Sequence, residues 1–147
     1  MTRGPVEILL VEDNPSDVEL ALRALRSDSL APHVEVARDG VEALDFIFGA
    51  GADAHHRTPD EPRVILLDLK LPKVDGLEVL HRVKSDPRTR QIPVVVLTSS
   101  QEESDVVRSY ALGVNSYVVK PVDAEQFTEC VRDLGLYWVL LNHPPAG

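Results

Sequence analysis

At 147 residues the chain has the length for one domain with a sizeable core and none for a second. It is 44 % hydrophobic and 27 % charged, as globular proteins are, and its net charge of −9 argues against a nucleic-acid partner, because phosphate backbones select basic faces. The single Cys130 cannot close an internal disulfide, and the opening MTRGPVEILLVEDN is neither a signal peptide nor a membrane span, so a cytoplasmic location is expected.

The first apolar run, residues 8–11, has the length of a strand and stops at Glu12 and Asp13. Asn14 and Pro15 then open a helix, since proline suits the first helical position, and Val18, Ala21, Leu22 and Leu25 share one face. A second run at 34–37 leads to Asp39-Gly40 and a helix carrying Val41, Leu44, Ile47 and Phe48. The stretch 49–62, rich in glycine and proline, reads as a polar loop; its His55 and His56 have no second ligand pair nearby and do not make a metal site.

The third run, 64–67, ends on Asp68, and the helix after it carries Leu77, Leu80 and Val83 until Asp86-Pro87 stops it. The basic residues Arg82, Lys84, Arg88 and Arg90, broken by Asp86, read as a solvated face. The fourth run, 94–97, ends on Thr98. Ser99 or Ser100 is expected to cap a helix with Val106, Val107, Tyr110 and Ala111 inward and Gly113 just past its end. The fifth run, 117–119, ends on Lys120-Pro121, and Asp123 with Gln126 resembles a capping box for the last helix. One face of that helix holds Phe127, Cys130, Val131, Leu134, Trp138 and Leu141. With Leu136, Tyr137, Val139 and Leu140 its final turns are apolar nearly all round. Such a surface is expected to meet a partner, and a homodimer through Phe127, Val131, Leu134, Tyr137, Trp138 and Leu141 is the reading drawn from it.

Three of the five runs are continuously aliphatic, as strands covered on both faces are, and strands alternate with helices throughout. The fold expected is therefore α/β: a doubly wound, five-stranded parallel sheet forming one domain over 1–147 with no output domain. Ligands of such sheets bind beyond the carboxyl ends of the strands. Glu12, Asp13, Asp68, Thr98 and Lys120 all stand at such ends and so converge on one edge. Clustered carboxylates repel one another, and a hard divalent cation taking oxygen ligands relieves the repulsion. A lysine and a hydroxyl beside them suit a phosphoryl group, and one of the carboxylates could be the nucleophile that accepts it.

These motifs resemble the receiver domain of two-component response regulators over essentially the whole chain. "ILLVEDNPSD" is similar to the family's acidic pair after the first strand, and "VILLDLKLPKVDG" to its phosphorylation segment, with Pro72 and Gly76 in place. "VVVLTSS" carries the switch hydroxyl, Thr98, and "GVNSYVVKPVD" carries the switch aromatic, Tyr117, with the lysine, Lys120. The resemblance implies a flavodoxin-like (βα)5 fold with strand order 2-1-3-4-5. It implies phosphorylation of Asp68 by a sensor histidine kinase or a small phosphodonor such as acetyl phosphate. It also implies Mg²⁺ held by Glu12 or a water, Asp13, Asp68 and the backbone carbonyl of Lys70, and a cis bond before Pro121. Lys70 and Ser100 fall at the two positions that tune phosphate lifetime in the family. The loop 49–62 and the apolar final segment resemble the stand-alone regulators that serve bacterial phytochrome kinases.

Other uses of a strand-end aspartate fit less well. A phosphatase of the haloacid-dehalogenase type places a second Asp two residues on, where this chain has Lys70. A flavin or nucleotide binder needs a phosphate-cradling loop after the first strand, where "VEDNPSD" offers acids. A receiver that binds partners without phosphorylation would not need all five site positions filled, as they are here.

Overall fold

The computed structural model describes residues 6–26, 32–49 and 62–143. Most of the 49–62 loop, with His55 and His56, lies outside the described residues. The strands are β1 (Ile8–Val11), β2 (Val34–Ala37), β3 (Val64–Leu67), β4 (Val94–Thr98) and β5 (Ser116–Val119). The helices are α1 (Pro15–Leu25), α2 (Gly40–Phe48), α3 (Gly76–Ser85), α4 (Glu103–Ala111) and α5 (Ala124–Leu136), the last running into a π-helical turn, Tyr137–Leu141.

All strand pairs are parallel and the order is β2-β1-β3-β4-β5, as expected for a flavodoxin-like sheet. Side chains alternate between the two faces of a strand, so the sheet feeds two cores. Leu9, Val11, Ile65, Leu67, Val94 and Val96 pack with α2 and α3 through residues such as Leu44, Ile47, Val79 and Val83. On the other face Ile8, Leu10, Val64, Leu66, Val95 and Leu97 pack with α1 and α5 through Ala21, Leu25, Phe127 and Val131. Burial on both sides is why β1 and β3 are aliphatic at every position and β4 at every position before Thr98.

Asparagine and aspartate caps set where the helices begin. Asn14 Oδ1 accepts from the amides of Ser16 and Asp17, Asp39 from Glu42, Asp75 from Glu78, and Asp123 from Glu125 and Gln126.

Several expectations are corrected. Helix α4 starts after Glu102, not at Ser99 or Ser100, and its N-cap makes no side-chain bond. Its buried residues are Asp105 and Ser109, whereas Val107 and Tyr110, 59 % and 54 % exposed, face outward. The polar stripe won because the β4–α4 loop offers Asp105 a hydrogen bond, Ser100 Oγ donating at 2.6 Å. Val41 is also exposed; Gly40 and Ala43 take the inner positions of α2 instead. Lys84 is no part of a solvated face. Its Nζ is tucked among three acceptors, Ile92 O at 2.7 Å, Arg90 O at 3.0 Å and Asn115 Oδ1 at 3.0 Å.

Phe127 and Val131 cannot contribute to a dimer surface, because both are buried against the chain's own sheet. Leu134 and Trp138 are partly buried on the same core. The exposed apolar residues of this region are Leu136, Tyr137, Leu140 and Leu141.

Candidate functional site

Strand order reverses at β1, with β2 on one side and β3 on the other. The crevice between the carboxyl ends of β1 and β3 is therefore where a doubly wound sheet binds its ligand. Asp68 follows β3 directly, and its amide donates to Val11 O at 3.0 Å, which fixes the start of the loop against the end of β1. The side chain is buried, and both of its oxygens are engaged. Oδ1 accepts from Thr98 Oγ1 at 2.8 Å and from the amide of Lys70 at 3.2 Å; Oδ2 accepts from Lys120 Nζ at 3.1 Å.

Lys120 Nζ is shared further, lying 2.5 Å from Glu12 Oε1 and 2.9 Å from Asp17 Oδ2. Burial works against this ammonium, but the bonds to Glu12 and Asp17 and the charge of Asp68 prevail and hold it above the ordinary lysine value. Burial pushes the Glu12 carboxyl up to about 7, although the Lys120 and Asn14 bonds oppose the rise. One ammonium thus faces three carboxylates, with Asp13 exposed beside them.

Glu12, Asp13 and Asp68 each offer a carboxylate oxygen, and these atoms lie within 4.8 Å of one another. A hard, all-oxygen donor set with surplus negative charge is what Mg²⁺ selects, so these residues fit that ion.

The structure brings together every strand-end residue singled out in the sequence: Glu12, Asp13, Asp68, Thr98 and Lys120. The cis bond expected before Pro121 is corrected, because no cis peptide bond occurs among the described residues. Trans is the lower-energy form of an X–Pro bond by about 0.5–1 kcal/mol, and Lys120 reaches its three carboxylates from it. Tyr117 is half-buried against the core and its hydroxyl donates to Ser100 O at 2.9 Å, which ties β5 to the β4–α4 loop. Ser100 and Lys70 both meet Asp105, the ammonium of Lys70 at 3.7 Å from Oδ2.

Two site residues were not visible in the sequence, Asp17 and Asp105. Both sit in the first turn of a helix, where an acid is expected for the helix dipole alone. The only signal was indirect: the first turns of α1 and α4 follow β1 and β4 closely, and so stand over the same sheet edge.

A parallel sheet in this order, with acids gathered at the carboxyl ends of its strands, is the arrangement of a two-component receiver domain. Residues 8–132 match the response regulator receiver domain, and the chain belongs to that family. It is 38 % identical to Response regulator Rcp1 of Synechocystis sp. over 142 residues, covering 97 % of this chain and 95 % of the relative. It is 42 % identical to the probable methanogenesis regulatory protein FilR2 of Methanothrix harundinacea, covering 97 % of this chain and 89 % of the relative. Among solved structures, the phosphorylated cyanobacterial phytochrome response regulator RcpA superposes with a TM-score of 0.86 at 40 % identity, covering 97 % of this chain and all of that one. The bacteriophytochrome response regulator AtBRR is 58 % identical, with a TM-score of 0.70, covering 96 % of this chain and all of that one. Similarity is thus strong to the stand-alone, phytochrome-associated regulators. No helix among the described residues is long and apolar enough to cross a membrane.

Proposed function

We propose that the protein is a stand-alone response regulator, one receiver domain that takes a phosphoryl group on Asp68 and signals by protein contact rather than by turning over a substrate. The observation that carries the reading is the Asp68 carboxylate itself, buried at the end of β3 with Thr98 and the Lys70 amide on one oxygen and Lys120 on the other. A carboxylate oxygen of Asp68 attacks the phosphorus of a phosphohistidine. An O–P bond forms as the P–N bond breaks, and the imidazole leaves with the electron pair. Lys120 offers charge, and Thr98 a hydroxyl, to the phosphoryl oxygens once they arrive. Glu12, directly or through a water, with Asp13, Asp68 and the carbonyl of Lys70, would hold Mg²⁺, which when bound neutralises charge on the transferring group.

The switch runs through Thr98 and Tyr117. When Thr98 turns toward the phosphoryl group, the space it leaves is open to Tyr117, and the surface around α4 and β5 changes shape. Lys70 and Ser100, two residues beyond the acceptor and the switch hydroxyl, tune how long the phosphate lasts. The relatives named for phytochrome signalling support a bacteriophytochrome histidine kinase as the donor. The exposed Leu136, Tyr137, Leu140 and Leu141 support a homodimer over the final turns; sedimentation of a monomer at tens of micromolar, with and without phosphate, would end that part of the reading.

The test is intact mass after incubation with Mg²⁺ and acetyl phosphate, beside Asp68→Asn and an EDTA control. One added phosphoryl group, absent from both controls, is expected. An adduct that survives Asp68→Asn would move the acceptor elsewhere.

A further inference from the structure

Asp105 has no part in the transfer step, yet it is buried at the first turn of α4 and gathers the two side chains that flank the site. Ser100 Oγ donates to its Oδ2 at 2.6 Å, and Lys70 Nζ stands 3.7 Å from the same oxygen. Ser100 is in turn held from the other side, its carbonyl accepting from the Tyr117 hydroxyl. Lys70 and Asp105 also line an open cleft of about 480 Å³, together with Asp13, Asp75, Arg108 and Leu69, the residue that follows Asp68.

Among the described residues, helix α4 meets the apolar core through its C-cap, Leu112, and through none of its own aliphatic side chains. Its N-cap lacks a side-chain bond, Val107 and Tyr110 face outward, and its other buried residue, Ser109, has a hydroxyl without a hydrogen-bond partner. The Asp105 carboxylate is therefore a main tie between α4 and the site.

We propose that Asp105 is a positioning residue that sets the lifetime of the aspartyl phosphate and links that lifetime to the seating of α4. The inference rests on the phosphorylation of Asp68 proposed above. Loss of the phosphate is hydrolysis: water attacks phosphorus, the bond from phosphorus to the Asp68 oxygen breaks, and inorganic phosphate leaves with the carboxylate restored. While Asp105 draws the Lys70 ammonium toward α4, the approach over the cleft stays open to that water. Without the Asp105 charge, Lys70 is free to pair with the phosphoryl oxygens and closes the approach.

The experiment measures decay of the phosphorylated protein, made with acetyl phosphate and Mg²⁺ and freed of donor, for wild type, Asp105→Ala, Asp105→Asn and both changes in a Lys70→Met background. Asp105→Ala and Asp105→Asn are expected to lengthen the lifetime by about threefold or more, and the gain is expected to vanish with Lys70→Met, since contacting residues couple by that order. A purely structural Asp105 would act equally with or without Lys70. Hydrogen exchange adds the second readout: amides of Glu103–Ala111 are expected to lose protection in unphosphorylated Asp105→Ala while those of α1 keep theirs. Lifetimes within twofold of wild type, or an equal gain in the Lys70→Met background, would overturn the proposal while phosphorylation itself stood. Unchanged α4 protection would remove the link to the helix. A wild type that takes up no phosphoryl group would bring down the function first, and this inference with it.

Discussion

The central chemical fact is a shortage of positive charge. Lys120 is the one cation in contact with Glu12, Asp17 and Asp68 among the described residues, and Asp13 adds a further carboxylate at the rim. Removing the lysine leaves buried carboxylates facing one another, so Lys120→Met is expected to destabilise the protein by about 3 kcal/mol without added metal. It should also enlarge the rise in melting temperature on adding Mg²⁺ over that of wild type. Thermal melts with and without Mg²⁺ check both, and an equal rise in the two proteins would mean that Lys120 does not offset the acids. Legibility at this scale followed position. Asp68, Thr98 and Lys120 each interrupt or close an aliphatic run, and that interruption is visible in one dimension. Asp17 and Asp105 interrupt nothing, because an acid in a first helical turn is what dipole and solvent already favour, so only the folded chain reveals that they face inward.

The loop after Asp68 owes its path to the helices that close on it. A Cβ on Gly76, the first residue of α3, would lie 2.3 Å from Asp68 O and 2.5 Å from Leu69 Cα. A Cβ on Gly40, at the start of α2, would lie 1.9 Å from Val74 O. Both obstacles are backbone, which cannot turn aside as a side chain would. Gly76→Ala is therefore expected to cost about 1–3 kcal/mol and to shift the acceptor carboxylate. It should lower both the denaturation midpoint and the rate of phosphorylation by acetyl phosphate. Gly135→Ala meets Leu25 Cδ2 at 2.6 Å and, at an ordinary contact distance of 3.9 Å, Ile8 Cδ1; it is expected to cost less because both are side-chain ends and the site lies at the other end of the sheet. The helices also divide by how readily periodicity reveals them. α1 and α3 follow their apolar stripes because the stripes meet the sheet, and Asn14 caps α1 where the sequence places the helix start. For α4 the stripe misleads. Its apolar side, with Val107 and Tyr110, faces out, and a carboxylate and a hydroxyl face in, since a hydrogen bond from Ser100 outweighs apolar burial at that one helix. A helix seated by polar contacts is more easily moved than one seated by leucines, as the switch proposed above requires of α4.

Across the whole molecule the two ends of the sheet do different work. The carboxyl ends of the strands collect the acids, while the amino end of β4 is fastened by Lys84, whose ammonium reaches Arg90 O, Ile92 O and Asn115 Oδ1. Asn115 Oδ1 also accepts from Val94 N, so the end of α3, the entry to β4 and the entry to β5 meet at one cation. Among the described residues, the partners of the Asp68 side chain are the Lys70 amide, Thr98 and Lys120, none of which belongs to this cluster. Lys84→Met keeps most of the side-chain volume but strips three acceptors of their donor, and is expected to lower stability by about 1–3 kcal/mol. Phosphorylation of Asp68 should proceed within about twofold of wild type, since a single lost surface or loop contact far from the chemistry is additive with it. Lys84 also carries a pH signature. Burial pulls its ammonium down to about 8 from the ordinary 10.5. Between those two values the folded chain has released this proton and the unfolded chain still binds it. Stability then rises with pH, because the unfolded state holds the extra proton. The stability of wild type minus that of Lys84→Met should accordingly widen from pH 8 toward 10.5. Urea titrations of both proteins at several pH values across this window read the difference directly, and the subtraction cancels what the two proteins share. A gap that narrows with pH would mean that the three oxygens stabilise the charged lysine more than burial disfavours it, and that the fastening depends on the full ammonium.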